Sequence, residues 1–166
     1  KLDMLLKETN LIDQTKDRIK KHEGYSNTVY KDTRGFRTIG YGHLCHDDEG
    51  WIDDKTYKKE VLEKQFDVDF KMACDHAERI YLSGNVTMNP KALSILTEMV
   101  FQLGFNGVKK FKKMLSAIYE ERFDIAADEM LDSLWNKQTP KRSKNLSDLM
   151  RKIEKEKVVS PAAENI

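Results

Sequence analysis

The chain has little of what staples or breaks a fold. Its two cysteines, Cys45 and Cys74, are too few for a disulfide framework and do not form a Cys-x-x-Cys pair. They read as reduced thiols, so the fold has to be held by packing. Only three prolines occur in 166 residues, which leaves long stretches open to helix. No apolar run approaches the ~18 residues of a membrane span, so membrane insertion is not expected. The opening KLDMLLKETNL lacks the apolar core of a signal peptide. It begins with Lys, as a processed chain or an excised domain would. The formal net charge of +1 gives no excess to attract nucleic acid. Charge tilts mildly: residues 1–108 carry 16 basic against 18 acidic side chains, residues 109–166 carry 13 against 10. The basic clusters are KKFKK at 109–113 and PKRSK at 140–144, read either as solvated helix faces or as an attraction for an anionic polymer.

What is present is a helix-rich globular composition, 39% hydrophobic and 34% charged. A chain of this length buries roughly two thirds of its unfolded surface and folds alone. An opening helix is predicted from about Leu2 to Glu23, with Leu5, Leu6, Ile12 and Ile19 at helical spacing and Gly24 as its cap. Aromatic and β-branched residues broken by Gly35, Gly40 and Gly42 predict a short antiparallel sheet over 25–44 with a turn at DTRG. A long helix follows over about 55–83, its stripe including Val61, Leu62, Phe66, Phe70, Ala73, Ala77, Ile80 and Tyr81. Further helices are predicted over 91–103, 108–120, 123–135 and about 143–156, with Pro140 marking a loop. Leu93, Leu96, Val100, Met114, Leu115, Ile118, Ile125, Leu131 and Leu134 are expected to make one helical core. The fold class is α+β and predominantly helical: a helical extension (1–19), a small sheet-bearing lobe (20–54), a connecting helix (55–83) and an all-α lobe (84–166). A groove between lobes is a favoured ligand site.

One segment carries the chemistry. In HEGYSNTVYKDTRGFRTIGYGHL, residues 22–44, Glu23 ends a helix, Asp32 precedes a turn, and Thr38 on the returning strand can approach Asp32. Two carboxyls and a hydroxyl facing one cleft suffice to hydrolyse a glycosidic bond: one acid protonates the leaving oxygen, the other carboxylate deprotonates a water. Spacing alone leaves open that these are surface acids beside a turn. His43, Cys45 and His46, with Cys74 and His76 further on, raise zinc as an alternative, but without the usual ligand spacing, and no metal or cofactor is expected.

The segment does not stand alone. HEG, VYKDTRGFRTIGYGHL, MVFQLGFNGVKKF and DSLWNKQTPKRS occur in the order and character seen in the lysozymes of T-even bacteriophages, glycoside hydrolase family 24, and the chain resembles that family from about Lys20 to Lys152. The resemblance implies the phage-type lysozyme fold and a muramidase that cuts the β-1,4 bond between N-acetylmuramic acid and N-acetylglucosamine of peptidoglycan, with inversion. Glu23 is then the general acid, and Asp32 and Thr38 hold the attacking water. Leu44, Phe101 and Gln102 line the cleft, and Arg142 approaches Glu23 from the helical lobe. His43 pairs with Asp69 to brace the small lobe, and Trp135 anchors the helical core rather than stacking on sugar.

The departures from the family pattern are as informative. The chain is short between His43 and Phe66, so a helix of the small lobe should be absent. Met114 and Glu129 stand where relatives carry small or amide polar residues that touch saccharide, which puts those subsites in doubt. His22 precedes Glu23 where a carboxylate is usual. The expected partner is peptidoglycan, met as a monomer at the bacterial wall in the periplasm, after synthesis in host cytoplasm if the chain is a phage endolysin. The alternatives are a catalytically weak, wall-binding lysozyme-like module of a phage tail and a zinc-binding helical adaptor.

Overall fold

The computed structural model describes residues 10–154. The expected start of the opening helix and the last residues of the final one lie outside this range. The described chain divides after Lys110 into two compact units.

In the first unit, α1 (Leu11–Glu23) ends where Gly24 turns to φ +75°, its N–H still bonded to the Lys20 carbonyl. The chain then forms β1 (Ser26–Lys31), β2 (Arg37–Gly40) and β3 (His43–Leu44), an antiparallel sheet in that order. Tyr30 pairs with Thr38 and Lys31 with Arg37, and a bulge separates this register from the Ser26 and Gly40 pair. The predicted DTRG turn is present: Gly35 N–H donates to the Asp32 carbonyl at 2.9 Å, with φ of +85° at Gly35. Between β3 and the next helix the only helical structure is a 3₁₀ turn, Asp47–Glu49, where the shortened sequence implied a missing helix.

Helix α2 (Lys59–Leu82) places Leu62, Phe66, Phe70, Ala73, Ala77 and Ile80 inward at helical spacing. It packs on β2, on β3 and on α3 (Pro90–Lys109), which also receives α1 and is kinked at Gly104, where φ is +79° and ψ 167°, just past the predicted end of a helix at 103. Every residue of α3 from Ala92 to Val100 is buried, the pattern of a helix surrounded by protein. This helix belongs to the first unit, so the expected division at residue 84 falls inside that unit. Of the residues expected in the helical core, Leu93, Leu96 and Val100 are buried in this unit. Lys20, Tyr41 and Glu63 tie α1, the sheet and α2 together. Lys20 Nζ lies 2.7 Å from Glu63 and over the Tyr41 and Phe66 rings, while the Tyr41 hydroxyl donates to Glu63 at 2.8 Å.

The second unit holds α4 (Lys112–Tyr119), α5 (Phe123–Leu131), α6 (Leu134–Gln138) and α7 (Pro140–Arg151), with α5 packed between α4 and α7. Met114, Ile118, Met130, Trp135, Leu146 and Met150 are buried. Ile125 and Leu134, expected in the core, are exposed by 38% and 68%. Leu134 opens a new helix after a break instead of continuing α5, so its side chain falls outside the stripe. Val61, at the start of α2, is also largely exposed. No helix among the described residues is long and apolar enough to cross a membrane.

Candidate active site

Glu23 is the last residue of α1, and its half-buried side chain lies against Gly42 in the β2–β3 connection. A Cβ at position 42 would collide with Glu23 Oε1 and stand 3.1 Å from its Cδ. Gly42 also has φ of +75°, a conformation that L side chains resist. The second glycine of the I-G-x-G-H motif therefore does two things: it turns the strand, and it leaves the space that the Glu23 carboxyl occupies.

Asp32 sits at the end of the β1–β2 hairpin with its carboxylate folded back over the turn. Oδ1 accepts the backbone N–H groups of Arg34 and Phe36, both at 2.9 Å; Oδ2 accepts from the Arg34 guanidinium at 3.1 and 3.3 Å. The Phe36 N–H, with help from Arg34, holds the Asp32 pKa below the usual carboxylate range against a smaller effect of burial. The anion is thus favoured. Oδ1 is committed to the turn, whereas Oδ2 is held only by an exposed arginine side chain that can swing away.

Thr38 is buried on β2, and its hydroxyl donates to the Phe36 carbonyl at 2.9 Å. The Asp32 N–H donates to the same carbonyl. The structure therefore joins Thr38 to the Asp32 turn through a shared acceptor rather than by the expected direct approach. The reason is that Asp32 turns toward the N–H groups of its own loop. With its proton engaged, the Thr38 oxygen presents lone pairs only.

Tyr30, which sequence reasoning passed over, stands opposite Thr38 in the ladder. Partial burial raises its pKa most, and the charges of Glu23 and then Asp32 raise it further. One phenol thus feels both carboxylates. The alternation of the strand puts residue 30 on the Thr38 face, and that alternation was the available signal.

Beside this group opens a cavity of about 540 Å³ within the first unit, lined by Leu44, Phe101 and Gln102 together with Val68 and Met72. Glu23, Asp32 and Thr38 are not in its lining, but Gly42, which touches Glu23, and Arg34, which binds Asp32, are. His43 also lines it, with Nδ1 bonded to Asp69 at 2.8 Å and Nε2 to Glu49 at 3.0 Å. Burial is the largest single influence on His43 and opposes its charge, yet Asp69 and Glu49 together outweigh it and raise the pKa. Both ring nitrogens serve the brace between sheet, 3₁₀ turn and α2. Among the described residues no group of three His, Cys, Asp or Glu is arranged to hold a metal ion.

The remaining candidates lie in the second unit. Arg142 is buried near the start of α7, and Trp135 packs edge-on against Phe111 with ring centroids 6.0 Å apart. Met114 is 1% exposed, a core residue of α4 that has no surface to offer a sugar. Glu129 lines a shallow cavity of about 320 Å³ with Lys112, Lys113, Ser116, Glu120 and Arg122.

A carboxyl at the end of a helix and another in a hairpin turn, each touching a residue that lines one cavity, followed by a long helix and a helical remainder, are the features of a lysozyme-type glycoside hydrolase. The phage lysozyme family profile matches residues 20–156, and the chain belongs to that family. Two proteins of Dictyostelium discoideum, "Probable T4-type lysozyme 2" and "Probable T4-type lysozyme 1", are each 32% identical over 158 residues, covering 80% of this chain and 91% of theirs. The "Pre-baseplate central spike protein Gp5" of Enterobacteria phage T4 is 27% identical over 151 residues, covering 78% of this chain and 26% of that protein.

Proposed function

We propose that the chain hydrolyses the β-1,4 bond between N-acetylmuramic acid and N-acetylglucosamine in bacterial peptidoglycan, with inversion, acting as a monomer without a cofactor. The observation that carries the reading is the way the hairpin turn holds the Asp32 carboxylate. Asp32 is held as the anion by two backbone N–H groups and an arginine, which suits a base and not an acid. That leaves Glu23, seated on Gly42, to protonate the leaving oxygen. Asp32 Oδ2 and the lone pairs of Thr38 Oγ1 accept the hydrogens of the attacking water. Leu44, Phe101 and Gln102 give the sugar chain an apolar wall with one polar group.

The test is loss of turbidity in permeabilised Gram-negative cells or purified peptidoglycan. Glu23→Gln should lower the rate most, by about 10²- to 10⁴-fold, because an amide cannot donate the proton. Asp32→Asn and Thr38→Ala should lower it less, all three variants remaining folded. Full activity in Glu23→Gln would end this assignment of the acid. NMR of the first product should show inversion at the anomeric carbon, and retention would make Asp32 a nucleophile instead. The likeness to a baseplate spike protein supports a second reading, wall penetration rather than release of progeny. It predicts the same chemistry in a longer parent chain.

A further inference from the structure

The residue before Glu23 makes a contact that the chemistry above does not use. Glu98, fully buried on α3, accepts from Arg18 Nε on Oε1 and from His22 Nδ1 on Oε2, both at 2.6 Å. Arg18 Nη2 reaches on to the Ser94 carbonyl at 3.2 Å and its hydroxyl at 3.1 Å, and Ser94 Oγ shares a 2.6 Å hydrogen bond with Thr15. Thr15, Arg18 and His22 follow one another on a single face of α1, and Ser94 and Glu98 lie one turn apart on α3.

A seam between two helices packs adequately with apolar residues, and a buried ion pair is weak ground for stability. What the network does supply is register. A slip of one residue would rotate α1 by about 100° and move it by about 1.5 Å, breaking every one of these bonds. The network ends at His22, immediately before Glu23, after which Gly24 leaves the helix. The Glu23 carboxyl is fixed on its far side by the space above Gly42 and on its near side by the helix turn that His22 anchors.

We propose that His22 is a positioning residue: through its bond to Glu98 it fixes the last turn of α1, and so sets the carboxyl of Glu23 against Gly42. The inference rests on the reading of Glu23 as the general acid.

The test compares His22→Leu, which fills the space without a donor, with His22→Asn, whose amide nitrogen falls where Nδ1 stands. Turnover of purified peptidoglycan and thermal unfolding are measured for each, well below the unfolding temperature. His22→Leu should lower kcat by about ten- to a hundredfold with the apparent KM held within about twofold, and His22→Asn should recover to within about threefold of the parent. Unchanged turnover in folded His22→Leu, or equal losses in both variants, would overturn the proposal. Should His22→Leu fail to fold, His22→Gln replaces it: its amide reaches toward the Nε2 position, so it should lose kcat where His22→Asn does not, and equal rates would overturn the proposal. Glu23→Gln separates the two readings. If it retains activity, the assignment of the acid falls and takes this inference with it; if it is inactive while His22→Leu is active, only the positioning role falls.

Discussion

At the scale of single residues, the site depends on groups that carry no reactive atom. Gly42→Ala should show this most directly. The new methyl meets the far end of a flexible side chain, so Glu23 can rotate away and the fold should survive, with a stability cost of about 1–3 kcal/mol from the left-handed backbone. Activity should fall by about 10²-fold, the cost of a misplaced acid. Gly50→Ala is the control: φ there is +78° with nothing within 4 Å, so it should lose comparable stability and little activity. Equal activity in the two alanine variants would mean that Glu23 does not act from its place on Gly42.

His43 gives a second residue-scale expectation, this time in pH. Asp69 and Glu49 raise its folded pKa above the ordinary 6.5, so its contribution to stability is fully present below pH 6.5 and is lost as pH rises through the folded value. Glu49 is shifted the other way: burial alone would raise it, but the His46 N–H and His43 together bring it below the ordinary 4.5. Its contribution is present above that value and lost as pH falls through the folded one. The brace is therefore strongest between about pH 4.5 and 6.5. Asp69→Asn should cost about 1.5–3 kcal/mol at pH 5.5, the worth of a hydrogen bond to a charged group. The difference from the parent should shrink at high pH, where both proteins hold a neutral imidazole. Urea unfolding at the two pH values reads it directly, and a difference independent of pH would assign the effect to packing.

At the scale of elements, the chain was legible where a pattern is long and opaque where a boundary is made by packing. The stripe of α2 placed that helix over 55–83, against Lys59–Leu82 in the structure. The hairpin followed from glycines and β-branched residues. Helix ends fared worse. Pro140, read as a loop, is the first residue of α7, because a proline at that position loses no hydrogen bond. The break after Leu131 had a signal in Ser133, whose side chain caps α6 by accepting the Asn136 N–H at 3.1 Å. The break at Phe111 has neither glycine nor proline, and the ring is spent on Trp135 instead. The sequence sets Thr38 on the strand that returns past Asp32, but their link through the Phe36 carbonyl is not legible there, because an aspartate's choice of backbone partner is set by the turn it makes. Glu98 was invisible because its partners lie 80 and 76 residues away. One boundary that could be read is Asn89, whose Oδ1 accepts the N–H groups of Lys91 and Ala92 at 3.0 and 3.2 Å ahead of α3. Asn89→Ala should lower stability by about 0.5–2 kcal/mol with activity nearly unchanged, read as a shift in the urea midpoint; no shift would mean that α3 is held by its packing on α1 and α2 without help from the cap.

At the scale of the whole molecule, the electrostatic question is how the chain meets an anionic wall. The tilt read along the sequence came from counting Lys109 and Lys110 with the C-terminal part. Both belong to the first unit, at the end of α3. Counted by the structure's own boundary, residues 1–110 carry 18 basic and 18 acidic side chains and residues 111–166 carry 11 and 10. Neither unit has a net charge that would focus a field. Local pairing disperses the charge further: Lys144 faces Asp148, and Arg151 bonds Asp128 at 2.7 Å. Long-range steering should therefore be weak, since it needs an excess of one sign over distances comparable with the Debye length. Activity on whole walls should fall by no more than about threefold as ionic strength rises from about 0.01 to 0.15 M, where screening shortens from about 30 to 8 Å. The measurement is the initial rate of wall clearing across that range at fixed pH, with binding to sedimented walls followed in parallel. A steep loss in both would show that Lys109, Lys110, Lys112 and Lys113 act as one patch despite the unit boundary. Replacing these four by Gln would then flatten the salt dependence, whereas in a molecule without such a patch the replacement should leave the slope where it is.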